Sequence, residues 1–152
     1  MIRIAFCLFA FLTFPASAQP LEDLINSGVV PKSASNPTFR KVMYSRLAEG
    51  GNEVSIFLSR RRSGTRTPIH THSSVSIQCL IEGETTFFVE NRKPVRISAP
   101  ECFLMPADVR MMAVMTGTKE VFYYSIFTGT KGFSYHEIRE RGIFDMRQKN
   151  IN

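Results

Sequence analysis

The chain has 152 residues, of which 19 are Lys or Arg and 13 are Asp or Glu, giving a formal net charge of +6 at pH 7. This length suffices for one domain with its own core. The basic residues, among them Arg60–Arg62 and Arg66, are spread along the chain and do not alternate with aromatic residues, which argues against nucleic-acid binding. They indicate a solvated basic surface; the alternative is attraction to anionic partners such as acidic glycans, lipid headgroups or carboxylates.

The first 18 residues have the organisation of a signal peptide. A basic start at Met1–Arg3 precedes an apolar run from Ile4 to Phe14, and Pro15–Ala18 supplies a cleavage site. The apolar run is shorter than the about 20 residues that span a membrane, and no later run reaches that length. We therefore predict an exported protein, periplasmic or secreted, that begins at Gln19 and has no membrane anchor after cleavage.

Residues 19–41 are predicted to form a short helix and a lead-in segment. Leu21, Leu24 and Ile25 share one helical face, and Gly28 can adopt the left-handed conformation that ends a helix. The stretch from 31 to 37 is rich in Ser, Asn and Pro, which favours irregular structure.

Residues 42–130 form short β-type runs separated by turn residues, without a long helix between them. Such close, regular spacing indicates an antiparallel barrel or sandwich. Residues 131–152 are more polar and are predicted to be a C-terminal extension that adds one strand. The predicted strands are Val42–Leu47, Val54–Ser59, Ile69–His72, Ser74–Ile81, Thr85–Val89, Val95–Ile97, Cys102–Met105, Met111–Met115 and Val121–Thr128.

A His-x-His pair stands in the third of these runs. Because residues two apart on a strand point to the same face, His70 and His72 can direct two imidazoles at one point. Two imidazoles are the beginning of a transition-metal site. Gln78 shares their inward parity and offers an amide oxygen. The alternative is a pair of hydrogen-bonded barrel residues that hold no metal.

The segment from Gly64 to Gly83 resembles the first signature of the cupin family: Gly, five residues, His-x-His, a short gap to a Glu, then six residues to a Gly. A weaker match to the second signature runs from Pro100 to Met111. The resemblance implies an all-β fold of the cupin type, a jelly-roll (double-stranded β-helix) barrel with one divalent metal inside. Two usual ligands are replaced, because Ser76 stands where the Glu belongs and Met111 where a His belongs.

This resemblance implies a reduced metal site at His70, His72, Gln78 and Met111. The ion would be a divalent transition metal (Zn, Cu, Fe, Ni or Mn), because loss of the carboxylate disfavours Mg or Ca. A thioether at Met111 would favour Cu(I), although Met111 also suits a role as core filler. The resemblance further implies a homodimer, since cupins often pair through exposed strands.

Cys79 and Cys102 are the two cysteines that remain after signal cleavage. If Gln78 points into the barrel, Cys79 points outward, where it can meet Cys102 on a neighbouring strand. A disulfide is one interpretation, in keeping with an oxidising compartment. Two buried apolar residues, or a pair of thiolate ligands or redox groups, are the others.

The sequence lacks a Gly-x-Ser-x-Gly elbow, a phosphate-binding glycine loop and a paired-carboxylate segment. Arg110 either binds a substrate carboxylate or points to solvent.

The favoured hypothesis is an exported cupin with a reduced His-x-His site that binds a transition metal, a small molecule, or both. The alternatives are a metal-dependent cupin enzyme of the dioxygenase, lyase or isomerase class, and a metal-free barrel that dimerises or binds a ligand. Whether the protein is an enzyme stays open.

Overall fold

The computed structural model describes residues 19–47, 52–130 and 135–137. The predicted signal peptide and most of the predicted C-terminal extension lie outside these residues. The elements are α1 (Leu21–Asn26), β1 (Phe39–Leu47), β2 (Asn52–Arg61), β3 (His70–His72), β4 (Ser76–Glu82), β5 (Glu84–Val89), β6 (Val95–Ser98), β7 (Cys102–Met105), β8 (Met111–Met115), β9 (Val121–Thr130) and β10 (Tyr135–Glu137).

The strands form two five-stranded antiparallel sheets. The first sheet has the order β1-β2-β9-β4-β7, and the second has the order β10-β3-β8-β5-β6. Most neighbours are distant in sequence, as where β2 pairs with β9 from Asn52↔Thr130 to Arg61↔Val121. The predicted all-β architecture with a short helix in front of it is confirmed.

The observed strands differ from the prediction mainly at their ends. β1 begins at Phe39 and so crosses the predicted boundary between the lead-in segment and the barrel. β2 continues to Arg61, because its ladder with β9 continues past Ser59. Local propensity ended the predicted strand at Ser59, since it carries no information about the partner strand.

The inner faces of the two sheets enclose an apolar core. Burial alternates along β4, where Ser76, Gln78 and Leu80 are buried and Ile77 and Ile81 are exposed, as expected of a strand with one face on the core. The buried apolar members are Leu80, Phe87, Val89, Ile97, Met105, Met111, Ala113, Met115, Val121 and Tyr123.

Helix α1 covers the outer face of the second sheet. Leu21 and Val30 pack there against Ile69, Met112 and Val114. This second apolar layer explains why every residue of β8 is buried. A helix this short depends on such packing for its stability.

Arg66 fastens the lead-in segment to the sheet. Its guanidinium donates hydrogen bonds to the carbonyl oxygens of Pro31 and Lys32, both at 2.6 Å, and of Thr67 at 3.1 Å. The interpretation of Arg66 as part of a solvated surface was therefore wrong, because its side chain is fully buried. Backbone carbonyls replace water around this cation.

Cys79 and Cys102 lie directly opposite each other on β4 and β7, with their Cα atoms 4.0 Å apart. The structure joins them by a disulfide. The bond lies on the outer face of the first sheet. This was expected, because Gln78 points inward and the next residue on the strand, Cys79, must then point outward.

Within the described residues, no helix has the length and apolarity needed to cross a membrane.

Gly83 turns the chain from β4 into β5 with a φ of +82°, and a Cβ atom there would lie 2.6 Å from the carbonyl oxygen of Glu120. Gly64, with a φ of +71°, has open space around it. Gly64→Ala should cost about 1 kcal/mol from backbone conformation alone. Gly83→Ala should cost roughly a further 1–3 kcal/mol, because it adds a clash with the backbone. Urea unfolding of both variants measures the difference, and equal losses would contradict it.

Candidate functional site

Strand β3 directs His70 and His72 into the space between the sheets. Both side chains are buried, whereas Thr71 between them is only partly buried. The two ring centroids are 4.9 Å apart, and the ring planes are tilted by 39°. The predicted inward orientation of the pair is what the structure shows.

Each imidazole is oriented by a hydrogen bond at Nδ1. His70 Nδ1 lies 2.8 Å from the carbonyl oxygen of Pro68, which can only accept, so Nδ1 carries the proton and Nε2 carries the lone pair. His72 Nδ1 lies 2.8 Å from Ser76 Oγ. Ser76, the residue in place of the usual Glu, is itself buried and thus holds the ring of His72.

Burial keeps both histidines neutral. The pKa of His70 is lowered to about 3, first by burial and then by the nearby charges of His72 and Arg61, against the opposing effect of the Pro68 carbonyl. The pKa of His72 is lowered to about 4 by burial. Both rings therefore offer unprotonated nitrogens at neutral pH, which metal coordination requires.

The other two predicted ligands lie on the same inner surface. Gln78 follows Ser76 by two residues on β4, about 7 Å along the strand. Its side-chain Nε2 is buried without a hydrogen-bond partner in the described part of the chain. Met111 pairs directly with His70 across β3 and β8, and it packs within the apolar core.

Sequence reasoning missed Arg61, which was assigned to a solvated surface. Its side chain is 6% exposed, and it has the inward parity of Ser55 and Ser59 on β2. Arg61 Nε donates to the hydroxyl of Tyr123 at 3.0 Å, and Nη1 donates to the carbonyl oxygen of Ser35. Extending the β2 alternation by one more inward position would have revealed it.

Arg110, the arginine considered for a substrate carboxylate, is already paired. It forms an ion pair with Glu90 at 2.7 Å and a second one with Glu22 of α1. These carboxylates satisfy its charge on the outer side of the second sheet, so Arg110 helps to hold the helix.

The residues present fit some metals and not others. Two neutral imidazoles with anchored Nδ1 atoms suit a borderline or soft transition ion. Within the described residues, no group of three or more His, Cys, Asp or Glu side chains comes together. A hard ion such as Mg or Ca therefore lacks its carboxylate ligands. The charge of Arg61 further weakens the binding of any cation.

The sequence matches no family model, and no curated protein matches it. Its fold, in contrast, matches solved structures. A conserved protein with a double-stranded beta-helix domain from Klebsiella pneumoniae has a TM-score of 0.56 at 15% identity, over 74% of this chain and 87% of that one. An RmlC-like cupin family protein from Methanocaldococcus jannaschii has a TM-score of 0.50 at 17% identity, over 64% of this chain and 87% of that one.

The DMSP lyase DddQ from Ruegeria pomeroyi is also similar, with a TM-score of 0.56 at 16% identity. The match covers 87% of this chain and 61% of the lyase, so the chain spans about six-tenths of that enzyme. Identities this low concern the fold alone. The chain has the cupin fold, a double-stranded β-helix, as the resemblance of its His-x-His segment to a cupin signature implied.

The depressed histidine pKa values predict a loss of stability in acid. Unfolded histidines take up protons below a pKa of about 6.5, whereas folded His70 and His72 do not until about 3 and 4. The free energy of unfolding should therefore fall as pH falls from 7 to 5, by up to about 1.4 kcal/mol per pH unit for each histidine. Urea unfolding of the chelator-treated protein measures this slope.

The matched variants are His72→Gln, which should make the slope shallower, and His136→Gln, which should not. A slope that His72→Gln leaves unchanged would show that this histidine does not control acid stability.

Proposed function

We propose that this protein is an exported cupin whose barrel interior binds a small molecule at a reduced two-histidine site that holds a transition metal. The observation that carries this proposal is the pair of buried, inward-facing imidazoles of His70 and His72, oriented through their Nδ1 atoms and neutral at physiological pH. Neutral, oriented imidazoles with the lone pair on Nε2 are the form in which histidine binds metals.

The residues that would hold the ion are His70 and His72 through Nε2, with the amide of Gln78 as a further ligand. The chemistry of this ligand set favours Zn, Cu, Fe or Ni, with Mn less suited because it prefers carboxylates. Met111 would ligate only a soft ion such as Cu(I), and its place in the core argues for packing. When bound, the ion would supply Lewis-acid polarisation of a ligand.

The imidazoles favour a ligand role over acid–base catalysis. A general base works best when its pKa lies near the working pH, and the pKa values of about 3 and about 4 lie well below neutrality. Burial thus makes both rings weak bases, which suits them better to the proposed ligand role than to proton transfer. An enzyme of the lyase, isomerase or dioxygenase class stays the alternative, and its chemistry would then depend on the metal.

Export is proposed from the segment at residues 1–18 together with the disulfide. Disulfides persist in oxidising compartments such as the bacterial periplasm or the extracellular space. The Cys79–Cys102 bond is therefore in keeping with a protein that leaves the cytoplasm.

The outer face of the first sheet supports a proposed homodimer. A row of large apolar side chains crosses all five strands in register, formed by Tyr44, Ile56, Ile126, Ile77 and Leu104. Leu104 is 61% exposed, and Tyr44 and Ile77 are also exposed. A monomer rarely exposes such a continuous apolar surface, and a second copy offers the same surface in return.

For the metal, protein purified from its native compartment should contain about one ion per chain. His70→Ala combined with His72→Ala should lower metal affinity at least about tenfold, because the oriented imidazoles are lost. Elemental analysis and a metal titration give the result. His136→Ala is the control, since it removes the third histidine of the chain. Equal metal content in the double variant and the wild type would overturn the proposed site.

For the dimer, light scattering on a sizing column should give twice the chain mass for the mature protein. Ile77→Lys combined with Leu104→Lys should give the monomer mass, because it places two charges within the apolar row. Val29→Lys changes another exposed apolar residue and should leave the dimer intact. A wild-type monomer, or a dimeric double variant, would contradict this interface.

A further inference from the structure

We infer that the barrel interior binds a small organic carboxylate, held by the guanidinium of Arg61 and the hydroxyl of Tyr123. This inference rests on the proposed small-molecule site and names the chemical class of its ligand. It stands on the position of Arg61 at the end of β2 and on the polar groups that face it.

Within the described ranges of the chain, the charge of Arg61 is buried without a counter-ion. Its two hydrogen-bond acceptors, the Tyr123 hydroxyl and the Ser35 carbonyl, are neutral. Among the described residues, no carboxylate forms an ion pair with it. Burying an unpaired cation is unfavourable, and an anion in the same space offsets that cost.

The other buried arginine has a structural role. Arg66 is surrounded by the carbonyl oxygens of the lead-in segment, on the side of the sheet that α1 covers. Arg61 instead points inward from β2, toward the hydroxyl of Tyr123, whose side chain belongs to the core between the sheets. Of these two buried cations, Arg61 is the one that faces the barrel interior.

A second polar group faces the same interior without a partner. Gln78 Nε2 is buried and makes no hydrogen bond within the described chain. It lies on β4, and its register partner on β9 is Ser125, two residues from Tyr123. Ser59 pairs with Tyr123 on the other side of β9. A polar band of Ser59, Tyr123, Ser125 and Gln78 thus crosses three strands of the first sheet.

The chemistry of this band selects an organic acid. The fork of donors on a guanidinium matches the two oxygens of a carboxylate, and the Tyr123 hydroxyl keeps its own proton to donate while it accepts from Arg61. Next to the band, Phe57 and Phe127 pack edge to face at 5.7 Å, and Phe127 lies 5.3 Å from His72. These rings make the surroundings of the band apolar, which suits the carbon part of an organic acid better than an inorganic anion.

The test uses sodium benzoate and sodium acetate as probes on the mature protein, after chelator treatment and again after metal loading. Binding is followed by calorimetry and by the NMR signal of the Arg61 Nε–H group. Benzoate should bind saturably and shift this signal, and its neutral analogue benzamide should bind at least about tenfold more weakly, since hydrogen bonds to charged groups are strong. Inorganic phosphate should bind more weakly than benzoate.

Two variants and one matched control locate the site. Arg61→Lys keeps the charge but loses the donor fork, and should weaken benzoate binding about tenfold. Tyr123→Phe removes only a hydroxyl and should weaken it several-fold, which keeps the inference testable if Arg61→Lys does not fold. Arg62→Lys changes the exposed neighbour and should leave binding unchanged.

The inference is overturned if neither carboxylate binds, if benzamide or phosphate binds as tightly as benzoate, or if both site variants bind like the wild type. The outcome is separable from that of the metal experiment. Carboxylate binding by metal-free protein would stand even if the metal proposal failed. Loss of metal from the double histidine variant would stand even if no carboxylate bound.

Discussion

The removal of His70 and His72 from water is the constraint on which the candidate site depends. On a strand this short, the pairing of β3 with β8 on one side and with β10 on the other keeps both residues on the inner face. Burial then lowers both pKa values, and the carbonyl of Pro68 and the hydroxyl of Ser76 fix the ring orientations. The two imidazoles are neutral, oriented and close together because both are buried on the inner face. A solvent-exposed pair would be free to rotate and would titrate near its ordinary pKa.

The replacement of a carboxylate by Ser76 changes the electrostatics of the interior. A Glu at this position would add a negative charge next to the imidazole of His72. Ser76 adds none, so the described inner face carries a cation without a matching anion. The interior is therefore less suited to a strongly bound divalent metal and better suited to an anionic ligand. A metal and an organic acid are compatible occupants, because an acid would supply the negative charge that the protein lacks.

The outer faces of the two sheets differ in how they are covered. Helix α1 and the lead-in segment close the second sheet, and they are held by the apolar layer around Met112, by Arg66, and by the ion pairs of Arg110. The first sheet has no such cover among the described residues, although the apolar row from Tyr44 to Leu104 crosses its outer surface. The same hydrophobic effect that docks the helix on one sheet therefore favours association on the other.

Local periodicity was enough to predict an antiparallel barrel or sandwich and part of the site. The resemblance of the segment from Gly64 to Gly83 to a cupin signature implied the cupin fold, and strand parity placed the histidines and Gln78 on the inner face, because both signals are contained in short segments. What only the tertiary structure decided depends on pairing between distant strands. The burial of Arg61 requires the ladder of β2 with β9, the disulfide requires β4 opposite β7, and the role of Ser76 requires the turn that brings it to His72. Such contacts are set by the packing of the whole domain, so residues that looked like surface in the sequence became part of the interior.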